Sequence, residues 1–356
     1  MKTLKELDGD LVNHWYIACL SEELGVDKPI SRTVYEIPYV LFRDANGKPV
    51  VMIDRCIHRG AQLSKGVCER GHLRCPYHGW QFGEAGAVTE IPSEGDSKKT
   101  HGYNGDTVPM IEQDGAIWIW PGDKALASAG PNWRFPFHSE KGWSQYFMIT
   151  DFPNEVTHLV QNFMDVPHTV FVHSKWFRNR RLIKVPIKVD VASGHVKVTY
   201  GQYPDQPQDV IGFMESILNP QKKPMIHTDE YIFPQITRVD YSFGHNHFVI
   251  NSQCTPVGRH QTRVYTWICY RIGMLTPWLK PFMRFYTRKV ITQDVEIMEN
   301  HGESLKKFET FFEKHQYKST QADELHLAID KMREQGIQDR HLPEKMNYSR
   351  DREFWI

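Results

Sequence analysis

Before Pro121 the hydrophobic pattern consists of short strand-forming runs punctuated by glycine turns. Residues 11–20 are rich in strand formers, and residues 33–43 read as strands around a break at Pro38. Residues 44–48 form a hairpin turn, with Asn46-Gly47 as a strong turn signal, and residues 50–54 follow as a strand. Residues 81–83 and 84–88 make another hairpin, and residues 117–120 a last strand stopped by Pro121-Gly122. This spacing predicts a small antiparallel β domain. Residues 122–136 are rich in Ala, Ser, Gly and Pro with little periodicity, which reads as a linker. The boundary falls near residue 125, giving domains 1–125 and 126–356.

Beyond the linker the period changes. Val156, Leu159, Val160 and Phe163 recur at helical spacing. Asn162, Asp165 and His168 are three apart each time, so one helical face could carry them; Pro167 disturbs the helix just before His168. His173 follows five residues later. Residues 184–200 alternate around a turn at Ser193-Gly194, and runs at 231–233, 239–243, 247–250 and 262–270 continue a sheet. Residues 204–226 read as a loop or insertion. Residues 274–290 read as a helix turning Trp278, Phe282, Phe285 and Tyr286 to the core. Thr320 to Asp323 resembles a capping box before a late helix through Leu325, Ala328, Ile329 and Met332. The expected class is α+β: an antiparallel β domain followed by an antiparallel sheet with packed helices.

Composition narrows the function. The 356 residues carry 43 Lys plus Arg against 43 Asp plus Glu, so no basic excess points to nucleic acid. The apolar runs are too short to cross a bilayer, and residues 1–6 lack an apolar signal core, so the expected location is cytoplasmic. Ten Trp, 15 Tyr and 19 Phe suit apolar pockets and interfaces. Of six cysteines, Cys19, Cys68, Cys254 and Cys269 are scattered and read as reduced thiols.

The other two cysteines belong to a motif. Cys56-Ile57-His58-Arg59-Gly60 and Cys75-Pro76-Tyr77-His78-Gly79-Trp80 are two mixed Cys/His pairs separated by 16 residues. Two thiolates on one iron and two imidazoles on the other make a Rieske [2Fe–2S] centre. Gly60 and Gly79 let backbone N–H groups approach the sulfides. A zinc site is the alternative, but zinc fingers usually pair like ligands. Trp80 reads either as a neighbour of the cluster or as an ordinary core residue.

With the cluster motif in place, Asn162-x-x-Asp165-x-x-His168-x-x-x-x-His173 resembles the iron motif of the Rieske non-haem iron oxygenases, and the two motifs stand in that family's order. The resemblance implies a helix-grip catalytic domain and a mononuclear Fe(II) held by His168, His173 and a late carboxylate. Asp294 is the candidate, with Glu296 and Glu299 as rivals on a solvated helix face. Gln293 stands where the family often has an acid. Ala61 and Tyr77 occupy the disulfide positions of respiratory Rieske proteins, which implies the oxygenase or ferredoxin type. The resemblance makes Asp165 a bridging carboxylate to His78 of another copy, and the minimal enzyme a homotrimer. It also implies O2 as co-substrate and an external reductase or ferredoxin that alone uses NAD(P)H. Hydroxylation or oxidative demethylation of a small aromatic or cyclic compound is expected. Ring cis-dihydroxylation and a Rieske electron carrier without oxygenase activity are the alternatives. Trp176-Phe177-Arg178-Asn179-Arg180-Arg181 reads as a solvated basic loop or as a contact for an anionic substrate or the reductase.

Overall fold

The computed structural model describes residues 3–97, 99–174, 183–202, 217–308, 317–339, 341 and 346–356. The aromatic and arginine run at 176–181 lies outside the described residues, as does most of the segment at 204–226. The chain divides into two compact units, Met1–Arg134 and Phe135–Ile356.

The first unit is built from three small antiparallel sheets. Strand β1 (Tyr16–Leu20) pairs with β10 (Ala116–Ile119), which pairs with β9 (Met110–Gln113). A second sheet joins β2 (Ile30–Val34), β3 (Ile37–Arg43) and β4 (Pro49–Ile53). The break between β2 and β3 lies at Tyr35-Glu36, both at positive φ, and not at Pro38. Pro38 sits one residue inside β3, near the strand end, where its missing N–H costs little. The third sheet, β5 (Val67–Glu69) through β6 (His72–Arg74) and β7 (Gln81–Phe82) to β8 (Val88–Glu90), carries the second Cys/His loop. Beneath both loops lies a core of Val40, Phe42, Met52, Leu63, Leu73 and Phe82.

The second unit is an eight-stranded antiparallel sheet in the order β11-β17-β16-β15-β14-β13-β12-β18. Its strands are β11 (Ser144–Phe152), β12 (Lys184–Ala192), β13 (His195–Tyr200), β14 (Ile226–Ile232), β15 (Ile236–Phe243), β16 (Asn246–Gly258), β17 (Gln261–Arg271) and β18 (Tyr348–Trp355). After the short α1 (Leu4–Asp8) of the first unit, the helices of this unit are α2 (Val156–Met164), α3 (Thr169–Val172), α4 (Lys280–Phe308) and α5 (Glu324–Gln338). Thr320 and Asp323 form the expected capping box ahead of α5. Helix α4 runs unbroken from the aromatic stretch through Asp294. Only part of that stretch faces the core. Met283 and Tyr286 are buried with Phe282 and Val290 packed beside them, while Trp278 is 81% and Phe285 53% exposed. Residues three and four apart share a helix face, and Phe285 falls on the other flank.

Candidate metal centres

The two Cys/His loops of the first unit have the same backbone construction. Cys56 N–H donates to Ala61 O and Gly60 N–H to Cys56 O, both at 2.8 Å. Cys75 N–H donates to Trp80 O at 2.8 Å and Gly79 N–H to Cys75 O at 3.2 Å. Each turn closes on a glycine at φ +75°, a conformation that side chains with a Cβ rarely adopt. Cys56 and Cys75 are buried. The His58 and His78 rings lie 4.6 Å apart. Trp80 is buried and stacks on His58 at 4.9 Å, with Tyr103 stacked on its own ring at 5.9 Å. It is therefore a neighbour of the candidate cluster as well as a core residue.

The donor set fits a metal cluster. His58 Nδ1 is buried and has no hydrogen-bond partner among the described residues. Burial, with Cys75 alongside, pushes the Cys56 thiol up to about 11, so stable thiolate character there calls for a cation.

In the second unit, α2 ends at Met164 because Pro167 disfavours helical backbone just ahead of it. Asp165 is extended (φ −90°, ψ 109°), and His168 opens the next turn, α3, which ends at His173. Asn162, Asp165 and His168 thus do not share a helical face. The kink brings them together instead. Asp165 Oδ2 accepts from His168 N–H at 3.0 Å and lies 3.2 Å from Nδ1 of the same residue.

Asp294, on α4, meets this kink. Its Oδ1 lies 3.5 Å from His168 Nε2 and 3.2 Å from His173 Nε2, and it accepts from Asn162 Nδ2 at 3.1 Å. One ligand atom from each of His168, His173 and Asp294 falls within a 4.8 Å span. His168 Nε2 is buried without a hydrogen-bond partner among the described residues. Glu296 and Glu299 are exposed. Burial alone would lower His168, but Asp165 and Asp294 outweigh it and raise the imidazole to about 9. Burial would raise Asp294, but His168 and His173 hold it down at about 2. A pocket that stabilises positive charge this strongly, with donors converging on one point, suits a divalent cation.

Two contributors have no role assigned by the sequence patterns. Gln293 Oε1 lies 3.0 Å from His173 Nδ1, which leaves Nε2 facing Asp294. His326 Nε2, on α5, lies 3.8 Å from Asp165 Oδ1. Under the three candidate ligands is a cavity of about 110 Å³. Its walls are mostly apolar, with Val239, Phe248, Ile250 and Ile268 from the sheet and Tyr286 and Val290 from α4.

Comparison with known proteins bears on both units. Residues 14–104 match the Rieske [2Fe-2S] domain, and residues 156–338 match the vanillate O-demethylase oxygenase C-terminal domain. The oxygenase component of dicamba O-demethylase from Stenotrophomonas maltophilia is 34% identical over 185 residues, 52% of this chain and 54% of that one. Chlorophyllide a oxygenase from Chlamydomonas reinhardtii is 34% identical over 182 residues, 50% of this chain and 27% of that one. The matches thus span about half or less of these relatives' length. The crystal structure of dicamba monooxygenase bound to dicamba superposes with a TM-score of 0.77 at 23% identity, covering 92% of this chain and 98% of that one, which establishes a shared fold.

Proposed function

The chain belongs to the Rieske oxygenases whose C-terminal domain is of the vanillate O-demethylase type, and from that membership we propose that it is the terminal oxygenase of a multicomponent system. In this reading it hydroxylates or oxidatively demethylates a small ring compound. Cys56, His58, Cys75 and His78 would hold the [2Fe–2S] cluster, and His168, His173 and Asp294 the mononuclear iron. Together these groups supply stored electrons and O2 activation. For a methyl ether the overall change is R–O–CH3 plus O2, two electrons and two protons to R–OH, formaldehyde and water. An external reductase or ferredoxin provides the electrons.

The single observation carrying this reading is the convergence of two imidazoles and one carboxylate over a mostly apolar cavity. The chain's own residues orient the ligands and keep water out. Asp165 fixes the tautomer and orientation of His168, Gln293 those of His173, and Asn162 steadies the Asp294 carboxylate. Monooxygenation is favoured over dihydroxylation because the relatives include a demethylase.

Asp165 has a second role in the proposal. Its Oδ2 is committed to His168, and its Oδ1, which lies 3.8 Å from His326 Nε2, would also take a cluster ligand, His78 of another copy, in a homotrimer. A reducing, cytoplasmic setting is part of the same proposal and is supported by Cys19, Cys68, Cys254 and Cys269, which stand outside any disulfide.

The test is O2 uptake by the iron-loaded protein with NADH and a surrogate reductase, across a panel of ring methyl ethers. Substrate-dependent uptake with formaldehyde release is expected. Fully loaded protein that consumes no O2 with any ring compound overturns the reading.

A further inference from the structure

Register turns the cavity wall into ordered rows. Asp229 pairs with Val239, Val239 with Ile250, and Ile250 with Ile268, so one row crosses four strands on a single face. The next row on that face is Thr237, Ser252 and Thr266. All seven side chains line the cavity under His168, His173 and Asp294. Within the cavity that row ends on a carboxylate, while in the sheet it continues from Asp229 to Val198 on β13.

That carboxylate is held rigidly. His227 Nε2 lies 2.9 Å from Asp229 Oδ1, and Tyr200 OH donates to Oδ2 at 2.8 Å. The His227 ring is sandwiched between Tyr200 and Tyr241, each at 4.2 Å. Burial and then Asp229 push the Tyr200 phenol well above its usual range, so it keeps its proton and donates. His227 Nδ1 has no partner among the described residues, which suits a ring carrying its proton on Nε2. Asp229 is thus the acceptor in both bonds. Asp229 is buried and lines the cavity, and a carboxylate offers about four lone-pair sites, so these two bonds do not exhaust its capacity to accept.

We propose that Asp229 is the specificity-determining residue of this cavity, anchoring a single neutral ring through an O–H or N–H donor and rejecting carboxylates. The inference rests on the oxygenase reading and names its substrate class. A second carboxylate beside the buried Asp229 is repelled, while a donor adds to the hydrogen bonding of the Asp229 side chain. At about 110 Å³ the cavity limits the bound part of a substrate to no more than a single ring, since an apolar cavity of about 150 Å³ is known to hold benzene.

The experiment is calorimetric titration of the iron-loaded protein under nitrogen with 2-methoxyphenol, methoxybenzene and 2-methoxybenzoate. The phenol is expected to bind at least about tenfold more tightly than methoxybenzene, equivalent to about 1.4 kcal/mol, with the benzoate weakest. Asp229→Asn, checked for iron content and circular dichroism, is expected to erase most of that preference and to strengthen the benzoate. If the variant does not fold, the wild-type series decides. Equal binding of the phenol and methoxybenzene, tighter binding of the benzoate, a preference that survives Asp229→Asn, or no binding of any ring would each overturn the proposal. Binding in the predicted order without O2 uptake overturns the oxygenase reading alone. Uptake without the preference overturns the Asp229 proposal alone.

Discussion

Gln293 Oε1 sits 3.0 Å from His173 Nδ1, and that contact decides which nitrogen of His173 faces the candidate iron site. The neighbouring residue on α4, Asp294, receives the other nitrogen at 3.2 Å. Two consecutive residues thus serve one imidazole from both sides. The amide does this without adding charge to a pocket that already holds Asp165 and Asp294.

Loss of such an orienting partner typically costs 10–100-fold in metal affinity or activity. Gln293→Ala is expected to weaken iron retention by roughly that factor, measured as iron remaining against a competing chelator. Gln293→Glu keeps an acceptor at the same place and should stay near wild type.

Gly302 lies near the end of α4, where an added Cβ would meet Pro153 O at 2.2 Å. Ala gains about 1 kcal/mol of helix propensity over Gly, but the clash is with backbone and cannot be relieved by a rotamer change. Nearby, Asn154 Nδ2 donates to Met298 O and Thr262 Oγ1 to Asn154 O, so the junction is tightly tied. Gly302→Ala should lower the melting temperature despite its better propensity, and should reduce iron occupancy by moving the helix that carries Asp294. A melting temperature at or above wild type would contradict this packing argument.

Trp80 stacks on His58 with an interplanar angle of 8°. Truncating a buried Trp to Ala costs about 3–5 kcal/mol. Trp80→Ala should lose both stability and visible cluster absorbance, whereas Trp80→Phe should retain most of each. Thermal unfolding and absorbance spectra separate the two variants.

Burial pushes the thiols of Cys19, Cys254 and Cys269 up to about 12. A raised thiol pKa keeps the neutral, unreactive form at ordinary pH. Brief alkylation of native protein at pH 8 should leave all three unlabelled, and denaturant should expose them. Peptide mass spectrometry reads the result at each site.

Much of this architecture is legible in the sequence because the chemistry sits in short local motifs. The Cys/His loops announce themselves by spacing, and His168 and His173 by their kinked segment. The edge strands are another matter. β11 and β18 bound the large sheet on its two sides, bury few side chains and carry charges, as in Arg350-Asp351-Arg352-Glu353, so they lack the alternation that marks a strand. β14 hides its beginning for the opposite reason. Its buried face is His227, Asp229 and Tyr231, so polar residues occupy the positions where apolar ones are expected. Gln293 was visible only as a departure from the family pattern, and its role emerged when α4 and α3 were brought together.

The central claim is that one chain holds two chemically different iron centres. Metal and sulfide analysis of protein purified without added chelator tests it most directly, run beside His173→Ala. The account predicts about three irons and two acid-labile sulfides per chain for the wild type. In the variant it predicts about two irons with the cluster spectrum intact. Zinc in place of iron at the Cys/His loops, or an iron count that His173→Ala leaves unchanged, would contradict it.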